Sequence, residues 1–398
     1  MDVRQNPTPE FIAAVRRKYH VERTVDTALT RKMNLRCGPR YAPANSAEFE
    51  VRLTAFLGTQ LDRPFTIKNL RPLGGGASKE QFVFDLDYWI DGDHRESEKM
   101  IARRSPYESA VETNPQREFQ SVKALDGLIP VPKAYWIDED GTHFGRPTQI
   151  YSFVGGVQKP SGGSGNVSGI GTYFPAHLRP GLSADFVDIL AEFHRHAPDA
   201  AALPAFDMPR VGTNEGALRT VNWWARVWEE DRLEDVPLMA VAENWLRAKA
   251  PTLDRVSIIH GDYRSGNFLF DEAQCRITAI LDWELSYLGD RHADLAWAMF
   301  DSFATDGEQG ERLMSGLLPK DAFIARYEAA SGLPVDPARL AYFNILELWK
   351  GVVLTAASSA RVANGLKTHQ NILLAWSANL SFPLLESLRR LLTVEFER

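Results

Sequence analysis

The sequence is poor in cysteine. Its two thiols, Cys37 and Cys275, stand far apart and in no metal-ligand spacing. That argues against a disulfide framework or a zinc cluster, and it fits a reducing compartment. The opening residues MDVRQNPTPEF lack the basic-then-apolar pattern of a signal peptide, so a cytoplasmic protein is expected. No uninterrupted apolar stretch is long enough to span a bilayer, so no membrane partner is expected. An overall excess of positive charge is also missing: the net charge is −7, which does not favour nucleic acid as a partner. Internal repeats and heptad runs are absent, and nothing in the chain fixes an oligomeric state.

What is present is ordinary globular composition, 398 residues with 44% hydrophobic and 24% charged, enough for two or three domains and a substantial core. The charge is uneven. Residues 1–47 carry nine Lys/Arg against four Asp/Glu. The favoured reading is a solvated, partly helical arm, and the alternative is a dock for an acidic substrate or partner. Periodicity predicts a helix over 10–33, with Phe11, Val15 and Tyr19 on one stripe, and a second over 47–60. Residues 1–60 are therefore expected to form a basic helical extension.

From Phe65 the pattern changes to short apolar runs divided by Gly-Gly-Gly-Ala-Ser and Asp-Gly-Asp, which reads as an antiparallel sheet with tight turns. Asn114-Pro115 signals a helix start, with Phe119, Val122 and Leu125 at helical spacing. Two further strands follow, so 61–154 forms a strand-rich lobe. Residues 155–171 hold seven glycines and three serines, the composition of a flexible joint. Beyond it, 155–398 reads as a helical lobe. Ser183 is expected to cap its first helix, and others are expected near 217–230, 239–249, 292–303, 321–331, 338–361 and 368–393. A strand-loop-strand island, VSIIHGDYRSGNFLF through RITAILDWE, interrupts them.

That island carries the chemistry. His260-Gly261-Asp262 is followed by Asn267 and, after the apolar run ITAIL, by Asp282-Trp283-Glu284. Phosphoryl transfer needs a carboxylate that orients the attacking hydroxyl and takes its proton, which suits Asp262. It also needs hard oxygen ligands for Mg on the phosphates, which suits Asn267 and Asp282. The alternative, a capped polar turn between buried strands, would not require H-x-D-x4-N together with a later strand ending in Asp. Upstream, the loop Gly74-Gly75-Gly76-Ala77-Ser78 lies between two strands, where glycines let backbone N–H groups approach phosphate oxygens. It is not a Walker loop, because no G-K-[ST] opens a helix. Alone it would more often be a hairpin turn.

Taken in order, these segments resemble the aminoglycoside phosphotransferase and choline-kinase-like branch of the protein-kinase-like fold. They are most similar to the phosphotransferase domains associated with acyl-CoA dehydrogenases. The resembling stretch runs from about Phe65 to beyond Ala298. GGGASKEQFVF matches the nucleotide loop, IARRSP the third-strand cation segment, REFQSVKAL the helix with the partner glutamate and IYSFVGG the adenine hinge. HGDYRSGNFLF and ILDWELSYLGDRHADLAW match the catalytic and metal segments.

The resemblance implies an α+β, two-lobed kinase that uses ATP and Mg to phosphorylate a hydroxyl of a small molecule. It makes Asp262 the catalytic base and Asn267 and Asp282 the metal ligands. His260 would brace the metal-binding turn, and Asp294 would hydrogen-bond the catalytic loop. Glu118 would pair the cation, and the backbone of Ser152 and Val154 would read adenine, with Tyr151 behind. Glu284 would either aid the metal or join a salt bridge. D-F-G and A-P-E signatures are absent, which ranks a protein kinase low.

The third-strand cation is Arg103 or Arg104, which alternation places on opposite faces. The family pattern selects Arg103. An aminoglycoside kinase and a nucleotide-binding pseudokinase remain as alternatives, and a hydroxyacyl-CoA or related metabolite ranks first as acceptor. In the group Trp223, Trp224 and Trp228, helical spacing makes Trp224 and Trp228 packing residues and the adjacent Glu229, Glu230 and Asp231 a solvated face, with a cation-receiving aromatic and acidic wall as the alternative. Trp349, Lys350 and Arg361 offer a competing wall for an anionic substrate.

Overall fold

Phe82, Phe84, Leu86 and Tyr88 alternate along one strand, and all four are buried. With Met100, Ala102 and Ile150 from neighbouring strands they form one apolar sheet face. The computed structural model that shows this describes residues 2–38, 45–74, 79–91, 94–161, 170–365, 368 and 370–397. The sheet is antiparallel throughout, in the order β1-β2-β3-β5-β4. Its strands are β1 (Thr66–Leu73), β2 (Glu80–Asp91), β3 (His94–Arg104), β4 (Ala134–Asp138) and β5 (Thr148–Ser152).

The N-terminal region contributes three helices: α1 (Pro9–Lys18), α2 (Arg23–Leu35) and α3 (Ser46–Gln60). The single helix expected over 10–33 is thus broken. Thr8 caps α1, and Tyr19 leaves the helix in extended geometry to bury its ring. Helix α3 packs Phe49, Leu53, Phe56 and Leu57 onto the apolar sheet face, with Phe49 stacked on Phe82 at 3.8 Å. Val15, Tyr19, Val25 and Leu29 of the first two helices join the core of the other lobe.

The expected solvated arm holds for part of the basic residues only: Arg16, Arg17, Lys18 and Arg23 are exposed, while others are taken into the fold. Lys32 and Arg36 are buried and donate to Asp231 at 2.9 and 2.6 Å, and Arg36 also reaches Glu108. Arg16 pairs with Asp26, and Arg31 with Glu112. The partners lie up to 199 residues away, so spacing along the chain could not reveal them.

On the opposite face of the sheet lies α4 (Pro115–Leu125), capped by Asn114 as its sequence predicts. The joint at 155–171 is not a free link over its first part. Val157 exchanges both backbone hydrogen bonds with Phe270, and Ser161 donates to Glu272 at 2.6 Å. The rest of the expected mobile segment, 162–169, lies outside the described residues.

The helical lobe opens with α5 (Arg179–Arg195). Ser183 sits within this helix and donates to Leu317 O, so it is not the expected cap. Then come α6 (Glu215–Asp231), α7 (Pro237–Ala248), the pair β6 (Ser257–Ile259) and β9 (Tyr287–Gly289), and the hairpin β7 (Phe268–Asp271) and β8 (Arg276–Ile280). Helix α8 (His292–Ala298) is shorter than expected, and three short strands follow: β10 (Thr305–Asp306), β11 (Arg312–Met314) and β12 (Leu318–Pro319).

The lobe closes with α9 (Lys320–Ser331), α10 (Pro337–Val352), a π-helical stretch Val353–Ser359, α11 (Ala360–Gly365), α12 (Asn371–Ala378) and α13 (Ser381–Phe396). The helix expected over 368–393 is therefore two. The continuous run Pro337–Gly365 is, among the described residues, the one helix long and apolar enough to cross a membrane, and 72% of its apolar 18-residue window is buried inside the molecule. It is the central helix of the lobe, packing on α8 and α13.

Asp231 ties the first helices to the helical lobe. Burial pushes its carboxyl up, but Lys32 and Arg36 more than offset that and hold it well below the usual range. Removing one partner from a buried ionic cluster leaves the others uncompensated. Asp231→Ala should therefore destabilise the fold by about 3–5 kcal/mol, read by denaturant unfolding. A loss close to that of an ordinary surface substitution would contradict this packing.

Candidate active site

Gly261 makes the turn after β6 with φ +79, and a Cβ there would come within 2.5 Å of Leu285 O. Glycine is required at this bend. The turn is held by Asp294, which lies fully buried in the first turn of α8. Asp294 accepts from His260 N–H at 2.7 Å and Gly261 N–H at 2.8 Å, and His194 Nε2 lies 3.1 Å away. Burial pushes its carboxyl up, but the hydrogen bonds from His194 and from the backbone N–H of His260 outweigh that and keep it low. Burial also pushes His194 down, which favours a neutral ring that donates from Nε2 and accepts from Tyr327 at Nδ1.

His260 braces the turn as expected. Its Nδ1 accepts from Asp262 N–H at 3.1 Å and its Nε2 donates to Leu281 O at 2.9 Å, next to Asp282. Asp262 is half-buried. Its Oδ1 accepts from Trp297 Nε1 at 2.6 Å and Arg264 Nε at 2.9 Å, and its Oδ2 accepts from Asn267 Nδ2 at 2.6 Å. The carboxylate is thereby fixed in orientation by three donors.

Pairing of Phe268 with Ile280, and Leu281 N–H with Asn267 O at 2.8 Å, brings Asn267 beside Asp282. The Asn267 amide donates to Asp262 O and Oδ2, which leaves its Oδ1 as a hard oxygen. Asp282 adopts left-handed backbone geometry at φ 66, uncommon for a non-glycine residue and characteristic of sites held by their surroundings. Its Oδ1 accepts from Arg103 at 2.8 Å. Burial pushes this carboxyl up, but Arg103 more than compensates and it stays low. Among the described residues no cluster of three or more His, Cys, Asp or Glu is placed to hold a metal. Two side-chain oxygens nevertheless fit Mg, which keeps several waters and binds phosphate oxygens.

Alternation along β3 falls as the sequence predicts. Arg103 points into the cleft, where it pairs with Glu118 of α4 and with Asp282. Arg104 lies on the α3 face, paired with Glu80 at 2.9 Å and set over Phe49 and Phe82. Arg103 Nε and Glu118 Oε2 are buried without hydrogen-bond partners. Glu284 joins the salt-bridge side: its Oε2 lies 3.4 Å from Lys79 Nζ. Burial and then the Asp282 charge push its carboxyl up to about 8.

Tyr151 is buried against Phe119 of α4, behind the hinge. The Ser152 N–H is committed to Lys133 O, so that donor does not face a ligand. Val154, half-buried, follows where the chain leaves the sheet. Gly74 is exposed at the end of β1, while Gly75, Gly76, Ala77 and Ser78 lie outside the described residues.

Neither sequence-predicted wall faces solvent. Trp223, Trp224 and Trp228 are buried packing residues, and the acids beside them are no solvated face, since Glu230 and Asp231 are buried in ion pairs; Trp349 is fully buried, and Arg361 donates to Asp231 O and Arg232 O. Sequence reasoning missed Trp297, Arg264 and Lys79. Trp297 stands three residues after Asp294, on the same helix face. Lys79 precedes Gln81, the partner of Arg103, by two residues and so shares its strand face. A surface cavity of about 430 Å³ bordered by His20, Asp207 and Arg219 lies elsewhere, beside α6.

The family model described as "Phosphotransferase enzyme family", APH, matches residues 69–343, well over half of the chain. A human relative, acyl-CoA dehydrogenase family member 11, is 26% identical over 327 residues, covering 74% of this chain and 40% of the relative. The matched stretch takes in 16–40% of the length of the first four curated relatives. Among solved structures, a candidate aminoglycoside phosphotransferase from Ralstonia eutropha aligns with TM-score 0.58 and 21% identity, covering 85% of this chain and 96% of that one. A macrolide 2'-phosphotransferase type I aligns with TM-score 0.52 and 17% identity, covering 85% and 98%. The two-lobed α+β fold is that of the protein-kinase-like phosphotransferases, and the chain belongs to the APH phosphotransferase enzyme family.

Proposed function

We propose that the protein transfers the γ-phosphoryl group of ATP, with Mg, to a hydroxyl of a small molecule. The observation that carries this reading is the convergence of Asp262 and Asn267 from one loop, Asp282 from the end of the β7–β8 hairpin and Arg103 from β3. Asp262 orients the acceptor hydroxyl and takes its proton. Arg103 presents a planar fork, which meets phosphate oxygens while keeping Glu118. Asn267 Oδ1 and Asp282 would hold Mg, which supplies charge neutralisation on the phosphates. Val154 and the Ser152 carbonyl would read the adenine edge. A cytoplasmic setting is part of the proposal and rests on the low cysteine count.

For the acceptor, a hydroxyacyl-CoA or related hydroxylated metabolite ranks above an aminoglycoside. Support comes from the relatives named for acyl-CoA dehydrogenases. Of the basic N-terminal residues, Lys32 and Arg36 cannot add to it, because internal ion pairs occupy them. A screen of ATP consumption over acyl-CoAs, simple alcohols and aminoglycosides tests the ranking.

Asp262→Ala should lower transfer by about 10²–10⁴-fold while ATP binding persists. Near wild-type turnover would remove Asp262 from the base role. Asp282→Asn should raise the Mg concentration needed for half-maximal nucleotide binding, and an unchanged midpoint would reject Asp282 as a ligand. Arg103→Ala should weaken ATP binding and slow transfer, with Arg103→Lys retaining part of the activity. Arg104→Ala should instead lower stability and leave the kinetics of the folded enzyme unchanged. The reverse pattern would place the phosphate cation on the wrong strand face.

A further inference from the structure

Gly261 has no side chain, so its peptide groups alone fix its place. Its N–H is taken by Asp294. Its carbonyl is taken by a residue 89 positions away, Lys350 of α10, whose Nζ donates to Gly261 O at 2.5 Å. Lys350 is 2% exposed. It also donates to Glu347 Oε2 at 2.7 Å and sits over the ring of Trp297, with Nζ 4.1 Å from the centroid, while the ring of Trp224 lies farther off at 5.7 Å. Three donor directions thus meet a carbonyl, a carboxylate and an aromatic face.

We propose that Lys350 is a positioning residue for Asp262, gripping the peptide before it and the indole that donates to it. The inference rests on the phosphotransferase reading above. A buried Lys–Glu pair is weak evidence for stability, since apolar residues of similar volume usually replace one without loss. What such a replacement would not reproduce is the grip on the two groups that aim Asp262. One is the Gly261–Asp262 peptide. The other is Trp297, whose Nε1–H donates to Asp262 Oδ1 at 2.6 Å. Lys350 reaches both from a helix outside the catalytic motif. Loss of its ammonium frees the Gly261 carbonyl and the indole together, so Asp262 drifts from the acceptor while the nucleotide contacts of Arg103 and Asp282 stay as they are.

The test uses the whole chain. Lys350→Met alone strands the Glu347 carboxylate, so the informative variant is Lys350→Met combined with Glu347→Met, which removes both charges. The double variant should melt cooperatively and bind MgATP as wild type does. ADP formation at saturating MgATP should fall about 10²-fold, the effect expected when a reacting group is misplaced by about 1 Å. The indole ¹H–¹⁵N resonance of Trp297, assigned with Trp297→Phe, should shift. Turnover close to wild type, an unmoved indole resonance, or MgATP affinity falling in step with turnover would each overturn the assignment. A wild-type protein that transfers phosphate to no acceptor would strike the proposed function instead. The indole resonance needs no turnover, and its failure to move would overturn the role of Lys350 even then.

Discussion

The site depends on one buried carboxylate. Asp294 has no access to water, yet it stays ionised because two backbone N–H groups and a histidine point at it. Those bonds hold the peptides of His260 and Gly261 in a bend that only glycine tolerates. The bend sets the direction of Asp262, and His260 passes the constraint on to Leu281 and so to Asp282. An unpaired polar group in such a site is costly, whereas a fully satisfied network is rigid. Rigid placement matters because phosphoryl transfer draws its rate from positioning and charge rather than from covalent chemistry.

The two lobes meet through charge. Arg103 on the sheet reaches Asp282 beyond the β7–β8 hairpin, and Lys79 approaches Glu284 two residues later. These cross-lobe contacts lie where phosphates and a cation would enter under the proposed function. Arg103 must then exchange one carboxylate for a phosphate, and a guanidinium with five fixed donors can do so without losing Glu118. The first helices add a brace on the outside, with Glu22 pairing Arg117 of α4 and Lys32 and Arg36 pairing Asp231 of α6.

Local patterns made much of this legible. Period two alone put Arg103 and Arg104 on opposite faces, and the spacing from His260 to Asp282 marked the β7–β8 hairpin and the loops that flank it. What stayed hidden depends on distant partners. Lys32 reads as a solvated charge until α6 brings Asp231 against it. Lys350 reads as a wall residue until α10 passes beneath Gly261. The break at Tyr19 was missed because the apolar stripe runs straight through it, and Ser183 resembled a cap although Pro180 already starts the helix.

The central claim is that this geometry moves phosphate to an alcohol. Phosphorus-31 NMR of MgATP with the protein and an acyl-CoA, alcohol or aminoglycoside acceptor tests it most directly. The account predicts loss of the γ-phosphate signal matched by growth of ADP and one phosphate-ester resonance, both absent with Asp262→Asn. Bound MgATP that persists unchanged with every acceptor, or an ester formed equally well by Asp262→Asn, would contradict it.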